Sequence, residues 1–518
     1  MTQPDNPTQQ GEALVQPGSP RWYLTRLTQR LLMRQSRYDR LERYALGDHP
    51  LPVGDRRYVA ALADLQKKCR TNYCELVIHA VTQRMKVTGF QFGPDQQNDT
   101  DAKAIWNYND MDYQSPTLLK MAATLGDAYI LVSPPIEDDG EPVMSVEDPR
   151  MCITESDPRL PTKTLAGLKM WQDDVDHAIY GALYLPDAIY LYKGPAIVDA
   201  LTTDAATLTH LLVGRSGIAA GGFVLVDTQP NPVGEVTLVR GNWQPAFGTM
   251  GRAEHEPIIH IQDRINHTVL DRLIIAKSQA YNQRWVTGAT KGDKFKGGAD
   301  LVWATVESDA KFGEFTAVDL TQMLAAIRDD VGDLAAVSQT PATYLMNRMV
   351  NVSGDTLTQD QSALVTKTHL REEAMGWMYE RAMRLAFKIK GDTAKYKETE
   401  VVTLWKDPEI RKLADVADAF SKFAAAGLPL DINMQQTQLF TDDQIESAVQ
   451  QFQEQQQQEL DQQMQMAQTQ TEGQVAVEKT KAGFPPKKTT NAPAKPGAPA
   501  KPGAKPAGKP AGKPKPTK

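Results

Sequence analysis

A stretch of 38 residues without proline, 353–390, constrains the fold of this chain more than any other feature. Apolar side chains such as Leu357, Leu364 and Leu370 recur within it at helical spacing, which predicts one very long helix. At 1.5 Å per residue an unbroken helix of this length spans about 55 Å, and Gly376 is a candidate bend. Shorter elements before and after this helix then decide the fold class.

Those shorter elements alternate between helical and strand-like patterns. Helices are predicted from Trp22 to a break at 44–52, and over 72–83, 101–109, 115–125, 263–285 and 320–337, with strands over 87–92 and 126–132. Between 142 and 262, short β-rich runs at 178–184, 188–193, 222–227 and 235–239 alternate with Gly, Pro and Asp turns. A smaller helical unit follows from 407, with helices predicted at 409–426 and from Asp442. The predicted fold class is therefore α+β.

The charge of the chain is divided between two parts of opposite sign. Residues 479–518 hold 11 lysines and no acidic residue, whereas the preceding body holds 46 basic and 64 acidic residues, a net charge of −18. An acidic body repels phosphate on average, which excludes a uniformly basic nucleic-acid-binding protein. The polar residues 1–20 and the Gln-rich, then Lys/Pro/Ala/Gly-rich residues 461–518 predict disordered termini.

Cysteine content and hydropathy limit the cellular setting. The three cysteines, Cys69, Cys74 and Cys152, are too few for a disulfide framework, which favours a reducing compartment. Cys69 and Cys74 with His79 lack the spacing and the fourth ligand of a structural zinc site, so neither a metal nor a cofactor is expected. No apolar run approaches the roughly 20 residues of a membrane span, and the first 20 residues lack a signal-peptide pattern. We expect a soluble intracellular protein or assembly component, without a membrane partner.

Three short patterns resemble catalytic motifs, and each fails a specific requirement. His255 and His260 are five residues apart with Pro257 between them, which excludes a shared zinc-binding helix face and predicts strand-edge histidines. The glycine-rich run 214–222 lacks the Lys-Ser/Thr pair of a phosphate loop and precedes a strand, which favours a turn. The Ser-x-x-Lys pattern at 308–311 has no companion motif. The sequence therefore predicts no catalytic residue and no enzymatic activity.

Basic side chains concentrate near the helix predicted at 263–285. Residues 264–296 carry seven basic and two acidic residues, a local charge of +5. The helices on either side of the following loop each have an apolar stripe and few chain neighbours. Side-by-side copies in a ring would cover those stripes, because heterologous contacts close into a ring when the rotation permits. An ordinary helical hairpin in a monomer would also cover them, and composition leaves both arrangements open.

Several segments of the chain form a recognisable series. They are Tyr38–Pro52, Asn72–Phe90, Trp106–Asp112, Leu125–Val132, and Thr340–Leu345 followed by Asn351–Leu357. In this order they resemble the portal proteins of long-tailed, siphovirus-type bacteriophages. The resemblance runs from about residue 22 to residue 450, over four fifths of the chain.

The resemblance implies a portal-like α+β fold with named parts. These would be an α/β wing at 21–262, stem helices at 263–285 and 320–340, a small β-rich clip at 286–319, a tunnel loop at 341–354, a long helix and wing return at 355–400, and a helical crown at 401–460. The long helix would connect the wing to the crown.

The resemblance also implies a function. The chain would form a ring, usually a dodecamer, at one vertex of the capsid. A separate large terminase would package double-stranded DNA through the channel, and the DNA would later be ejected. The ring would dock the head–tail adaptor and contact capsid and scaffold proteins. We then expect the protein in the virion, and in the host cytoplasm during assembly.

Candidate functional residues fall in three of the implied parts. They are Met346, Asn347, Arg348, Met349 and Asn351 in the tunnel loop, Arg264, Arg272, Lys277 and Arg284 in the stem, and Lys291, Lys294 and Lys296 in the clip. One cation in a mostly neutral loop suits weak contact with DNA, because each Lys or Arg on a phosphate adds affinity and drag. The alternatives stay open: Arg348 as an exposed loop arginine or in an intersubunit ion pair, and clip lysines that only keep a loop soluble.

The lysine-rich tail extends beyond the part of the chain that resembles the family. It would lie against packaged DNA inside the head, or bind an acidic scaffold protein during assembly. The alternative function is that of a nucleic-acid-binding scaffold or capsid assembly protein that forms no ring and acts through this basic tail.

Overall fold

A computed structural model describes most of the chain. The described residues are 16–50, 59–93, 98–137, 140–196, 222–245, 250–279, 284–288, 305, 308–314, 319–346, 354–409, 413–437 and 442–481. The chain divides into two compact units, Met1–Lys422 and Phe423–Lys518. The described strands all belong to the first unit.

Helices make up the larger part of the described residues. They are α1 (Pro20–Ala45), α2 (Val59–Lys68), α3 (Tyr73–Thr82), α4 (Thr100–Tyr108), α5 (Met111–Leu125), α6 (Ile259–Gln279), α7 (Thr321–Ser338), α8 (Ala342–Leu345), α9 (Gly354–Lys390), α10 (Thr393–Lys397), α11 (Leu413–Ala425), α12 (Leu430–Thr437) and α13 (Asp442–Lys481). One turn of 3-10 helix, Glu256–Ile258, precedes α6. The very long helix predicted from the sequence is confirmed as α9.

The described strands form antiparallel sheets. They are β1 (Val87–Phe92), β2 (Asp127–Ser133), β3 (Val143–Glu147), β4 (Cys152–Ser156), β5 (Thr164–Gln172), β6 (Ala178–Tyr184), β7 (Ala188–Ala196), β8 (Val224–Pro230), β9 (Leu238–Asn242), β10 (Arg284–Thr287), β11 (Lys311–Glu314) and β12 (Val401–Trp405). Strands β4 to β8 form one sheet in sequence order, and β2 lies between β3 and β9 in another. β1 pairs with β12, and β10 pairs with β11. Helices and sheets together make the predicted α+β fold.

Helix α1 covers one face of the five-stranded sheet. Leu24, Leu27 and Leu31 recur on one side of the helix and are almost fully buried, together with Leu168 of β5 and Ile179 of β6. Burying an aliphatic side chain of this kind contributes about 1.5–3 kcal/mol. The apolar spacing that predicted α1 therefore also selects the helix face that packs on the sheet.

A second core surrounds the long helix α9. Tyr379 and Phe387 of α9 are buried together with Trp106 of α4 and Phe90 of β1. The Tyr379 ring meets the Trp106 ring edge-on, with their centroids 5.5 Å apart. The partly exposed Trp405 of β12 packs against the same core. The C-terminal half of α9 thus joins the helices near the N-terminus to the β1–β12 pair.

Two glycines occupy positions where a side chain does not fit. Gly126 ends α5 with φ at +89°, and a Cβ there would lie 2.4 Å from the carbonyl oxygen of Gly251. Gly313 of β11 pairs with Trp285 of β10, and a Cβ at Gly313 would lie 2.3 Å from the indole ring. The first glycine allows the sharp turn from helix to buried strand that the sequence predicts at 126.

The start and end of α6 differ from the prediction of a helix at 263–285. The helix begins at Ile259 and ends at Gln279, and Arg284 instead begins strand β10. His255 precedes the 3-10 turn and His260 lies in the first turn of α6, so the expected strand-edge histidines are wrong. Pro257 is compatible with this position because the first turn of a helix has no partner for its N–H groups.

Two predictions near the C-terminus also need correction. The crown was expected to begin at residue 401, but Val401–Trp405 forms β12, which pairs with β1 in the first unit. Disorder was predicted from residue 461, but α13 continues to Lys481. The Gln, Glu, Met and Ala residues of this stretch have good helix propensity, and the next proline is Pro485. Residues 482–518 lie outside the described residues.

Candidate functional site

Helices α6 and α7 form a hairpin. Arg264, near the start of α6, pairs with Asp330 at 2.7 Å and with Asp333 at 2.9 Å, both in the second half of α7. The two helices therefore run antiparallel. In sequence the strands β10 and β11 lie between them and pair with each other as a small β ribbon. This is the helix, β-rich excursion and returning helix that the sequence predicts.

The hairpin helices are almost neutral in charge. Together α6 and α7 contain four basic residues, Arg264, Arg272, Lys277 and Arg328, against five acidic ones. Of the +5 of residues 264–296, +3 comes from residues 280–296 beyond α6, and the returning helix α7 contributes −2. Arg264 is occupied by its two carboxylate partners, whereas Lys277 is exposed. A near-neutral pair of helices binds phosphate only weakly.

The base of the hairpin is anchored in an apolar cluster. Ile265 of α6 and Leu334 of α7 are buried together with Leu41 of α1 and Val77 of α3. Met346, expected in the tunnel loop, packs against the same cluster and is half buried. Met346 directly follows the short helix α8, and its assignment to the tunnel loop stays a prediction.

A buried ionic cluster joins both ends of the hairpin to the long helix. Glu254, just before α6, lies 2.9 Å from the Lys367 ammonium and 3.1 Å from Arg371 Nε, both on α9. Trp243 donates its indole N–H to the same carboxylate at 2.8 Å. Lys367 also donates to the carbonyl of Ser338, the last residue of α7, at 2.6 Å.

The charges in this cluster stabilise each other away from water. The side chains of Glu254 and Lys367 are each only 3% exposed. Burial alone would raise the pKa of Glu254, but the positive charges of Lys367 and Arg371 hold it below its usual value. Burial lowers the pKa of Lys367, and Glu254 opposes that shift. The carboxylate therefore stays ionised and fixes the geometry of three chain segments.

A second buried carboxylate connects α1 to the three-stranded sheet. Asp127, at the start of β2, is fully buried. It accepts hydrogen bonds from the Tyr38 hydroxyl at 2.7 Å, from Arg240 at 2.7 Å and from the backbone N–H of Gly251 at 3.0 Å. This cluster holds the segment before α6 against the sheet, so the hairpin starts from a rigid base.

Most of the predicted site residues fall in segments that the structure does not describe. Those outside the described residues are Asn347, Arg348, Met349 and Asn351 of the tunnel loop and Lys291, Lys294 and Lys296 of the clip, as is most of the glycine-rich run 214–222. Arg272 and Lys277 lie on α6 as predicted, and Arg284 lies in the β ribbon rather than in the helix. Their assignment to the stem and clip stays a prediction.

Glu254, Lys367 and Arg371 were not among the residues predicted from the sequence. A signal for the last two was present, because on α9 they share a helical face with the buried residues Leu364, Met375 and Met378. Charged residues on an apolar face of a helix indicate buried partners. No local pattern distinguishes Glu254 from the other acidic residues of the chain.

Several kinds of site are not seen in the described part of the chain. It contains no group of three or more His, Cys, Asp or Glu side chains that could hold a metal ion. All three cysteines are free and buried. Of the helices described, none combines the length and apolar character needed to cross a membrane.

Comparison with known proteins identifies the family. The family model described as phage portal protein, SPP1 Gp6-like, matches residues 24–468. The portal protein of Mycobacterium phage L5 is 24% identical over 376 residues, which cover 70% of this chain and 74% of that protein. The portal protein of Mycobacterium phage D29 is 24% identical over 382 residues, covering 68% and 72%. The matched region contains the α6–α7 hairpin, the buried Glu254 cluster and α9, and the chain belongs to the phage portal protein family.

Proposed function

We propose that copies of this chain form a ring-shaped channel, most simply a dodecamer, at one vertex of a phage capsid. A separate terminase ATPase packages double-stranded DNA through the channel, and the DNA is later ejected along the same path. The ring also docks the head–tail adaptor. The observation that carries this proposal is the match to the phage portal protein family over residues 24–468.

The charge distribution supports a conduit. Duplex DNA carries one negative charge per about 1.7 Å, so a channel with many basic side chains would hold its cargo. The body of the chain has a net charge of −18, and the helices of the α6–α7 hairpin are nearly neutral. We assign these helices to the stem, the β10–β11 ribbon to the clip, and residues 341–354 to the tunnel loop. Arg348 is the cation that contacts DNA in that loop.

The buried clusters support a rigid frame around the channel. DNA packaging and later ejection exert force on the hairpin. A hairpin held only by surface contacts would be displaced by that force. Glu254 connects the segment before α6 to α9, and Lys367 connects the end of α7 to the same helix. The protein acts as a structural part of the virion without chemistry of its own, in contact with capsid and scaffold proteins, and it assembles in the host cytoplasm.

The proposal is tested directly by whether the purified protein forms a ring with a central hole. Light scattering of the purified protein should give a mass of about twelve times the 57.3 kDa of one chain. End-on electron micrographs should show a central hole. Phage lacking this gene product should yield capsids without DNA. A stable monomer at high concentration, or DNA-filled heads without the protein, would refute the proposal.

The lysine-rich tail supports a second candidate function. A protein that forms no ring would use the tail to bind nucleic acid as a scaffold during assembly. Residues 479–518 carry 11 lysines and no acidic residue, which suits salt-sensitive binding to phosphate. Within the ring proposal, the same tail lies against packaged DNA. A monomeric protein that binds DNA through the tail would favour the second candidate.

A further inference from the structure

A surface groove lies between α9, the loop before β5 and the connection from β8 to β9. Its cavity has a volume of about 490 Å³. Apolar walls come from Leu160, Pro186, Val236 and the partly exposed Trp377. Thr162 and Thr164 line its edge beside the start of β5. The groove thus combines an aromatic wall with polar groups and is open to a side chain from outside.

The groove carries an excess of positive charge. Lys163, Arg381 and Arg384 line it, and Glu235 is the carboxylate among the lining residues. Glu235 is already occupied, because Arg381, Lys388 and Tyr396 all donate to it. Burial raises the pKa of Glu235 on its own, but these partners bring it down to about 2, so the carboxylate stays charged. Arg384 is a further cation in the groove beside this pair.

Buried polar atoms that lack a partner among the described residues lie in the same region. Arg384 Nε is buried and has no hydrogen-bond partner among the described residues. Burial and the neighbouring Arg381 lower the pKa of Arg384, although Glu380 and Glu235 lie close enough to oppose this. An adjoining cavity shares Thr162, Trp377 and Arg381, and it is lined by Arg240, whose Nε is also unpaired within the described part. Unpaired guanidinium N–H donors favour an anionic ligand.

The turn between β5 and β6 has the complementary chemistry. Val175 is 90% exposed at its tip and is flanked by Asp173, Asp174 and Asp176. The Asp173 carboxylate accepts hydrogen bonds from the backbone N–H groups of Val175, at 2.8 Å, and of Asp176, at 3.2 Å. Asp176 is occupied by Lys193, whereas Asp174 is exposed. The turn is therefore a rigid acidic knob with one apolar side chain at its tip.

The groove and the knob lie at opposite ends of one strand. Thr164 lines the groove at the start of β5, and Gln172 precedes the knob at its end. Eight residues of extended chain separate them by roughly 26 Å. The knob of one copy therefore cannot reach its own groove. It can reach the groove of another copy, and such a head-to-tail contact is heterologous and closes into a ring when the rotation permits.

We propose that the β5–β6 knob of one copy, Asp173–Asp176, docks into the groove formed by Lys163, Trp377, Arg381 and Arg384 of the next copy. Val175 packs against Trp377, and the Asp174 carboxylate pairs with Arg384. The two surfaces match in charge and in apolar character: Asp174 and Val175 are exposed on the knob, and Trp377 is partly exposed in the groove. This inference rests on the proposed ring and names the residues that join its subunits.

Knob variants test the contact without disturbing the fold, because the changed side chains are exposed. We expect Val175→Asp combined with Asp174→Lys to raise the protein concentration needed for half-assembly at least tenfold. Ile136→Asp is the matched control, since Ile136 is 86% exposed next to Glu137 in another turn. It should assemble like the native protein. A knob variant that assembles at the same concentration as the native protein and the Ile136 variant would overturn the proposal.

Cross-linking between copies tests the geometry directly. The native cysteines are buried, so Thr162→Cys with Val175→Cys in one chain introduces the reactive pair. On oxidation we expect a ladder of covalent oligomers, and neither single variant should give one. If native rings form but no ladder appears, the docking proposal fails and the ring survives. If the native protein forms no ring at all, the proposed function itself fails.

Discussion

At the residue scale, His255 shows how burial sets a protonation state. It is fully buried, and its Nε2 lies 3.0 Å from the carbonyl oxygen of Leu41. A carbonyl oxygen can only accept a hydrogen bond, so Nε2 carries the proton and Nδ1 is unprotonated. Nδ1 has no hydrogen-bond partner among the described residues. Burial therefore lowers the pKa of His255 to about 4, although the nearby Glu256 opposes the shift.

This shift predicts a loss of stability in weak acid. Below about pH 6.5 the unfolded chain takes up a proton at His255, whereas the folded chain resists protonation until about pH 4. The contribution of neutral His255 to stability is thus fully present above pH 6.5 and is lost between pH 6.5 and 4. We expect the free energy of unfolding to fall by about 2 kcal/mol between pH 7 and pH 5 because of this loss.

Denaturant unfolding at several pH values checks this prediction. His255→Gln should lose that part of the pH dependence. His267→Gln should retain it, because His267 lies exposed on α6. Equal pH profiles for native protein and His255→Gln would contradict the assignment.

At the element scale, the Glu254 cluster decides how the hairpin is held. Its partners Lys367 and Arg371 lie on α9, more than 110 residues along the chain. By contrast, Arg264 joins α6 to α7 through a pair in which its own side chain is half exposed. Screening by water makes such an exposed pair worth about 0–1 kcal/mol, whereas removing one partner of a buried pair costs about 3–5 kcal/mol.

This contrast gives a paired prediction. Glu254→Gln should destabilise the protein by about 3–5 kcal/mol, because it leaves two buried cations without their carboxylate. Arg264→Ala should cost about 1 kcal/mol or less. Urea unfolding monitored by circular dichroism measures the stability of both variants. If Glu254→Gln is as stable as Arg264→Ala or more so, the buried cluster does not secure the hairpin.

At the scale of the whole molecule, charge separates the body from the tail. Truncation after Lys481 removes nine lysines and no acidic residue, and it leaves every described helix in place. Because each phosphate contact contributes about −0.9 to the slope of log affinity against log salt, the truncated protein should show a much shallower slope. Its affinity for duplex DNA at low salt should fall at least tenfold.

Fluorescence anisotropy of labelled duplex DNA over a salt series measures both quantities. Equal affinity of the truncated and full-length chains at low salt would contradict a DNA-binding tail and would leave an acidic scaffold protein as its partner. Ring formation, followed in parallel, should not change.

How much of this protein could be predicted from its sequence depends on the range of the interactions involved. The Leu24–Leu27–Leu31 stripe, the proline-free run of α9 and the Gly126 turn are local, so periodicity and residue type predicted them. The end of α6 was misplaced because the apolar pattern continues toward Trp285, although that residue pairs across strands with Gly313. Strand pairing depends on a distant segment, and no local pattern shows it.

By itself the sequence determined the longer helices, six of the twelve described strands and the division of charge between body and tail, since these follow from neighbouring residues. Only the tertiary structure decided that Glu254 meets Lys367, that Arg264 of α6 pairs with aspartates of α7, and that β5 separates an acidic knob from a basic groove. Each of these depends on side chains brought together from distant parts of the chain, where burial and the loss of water make their charges matter.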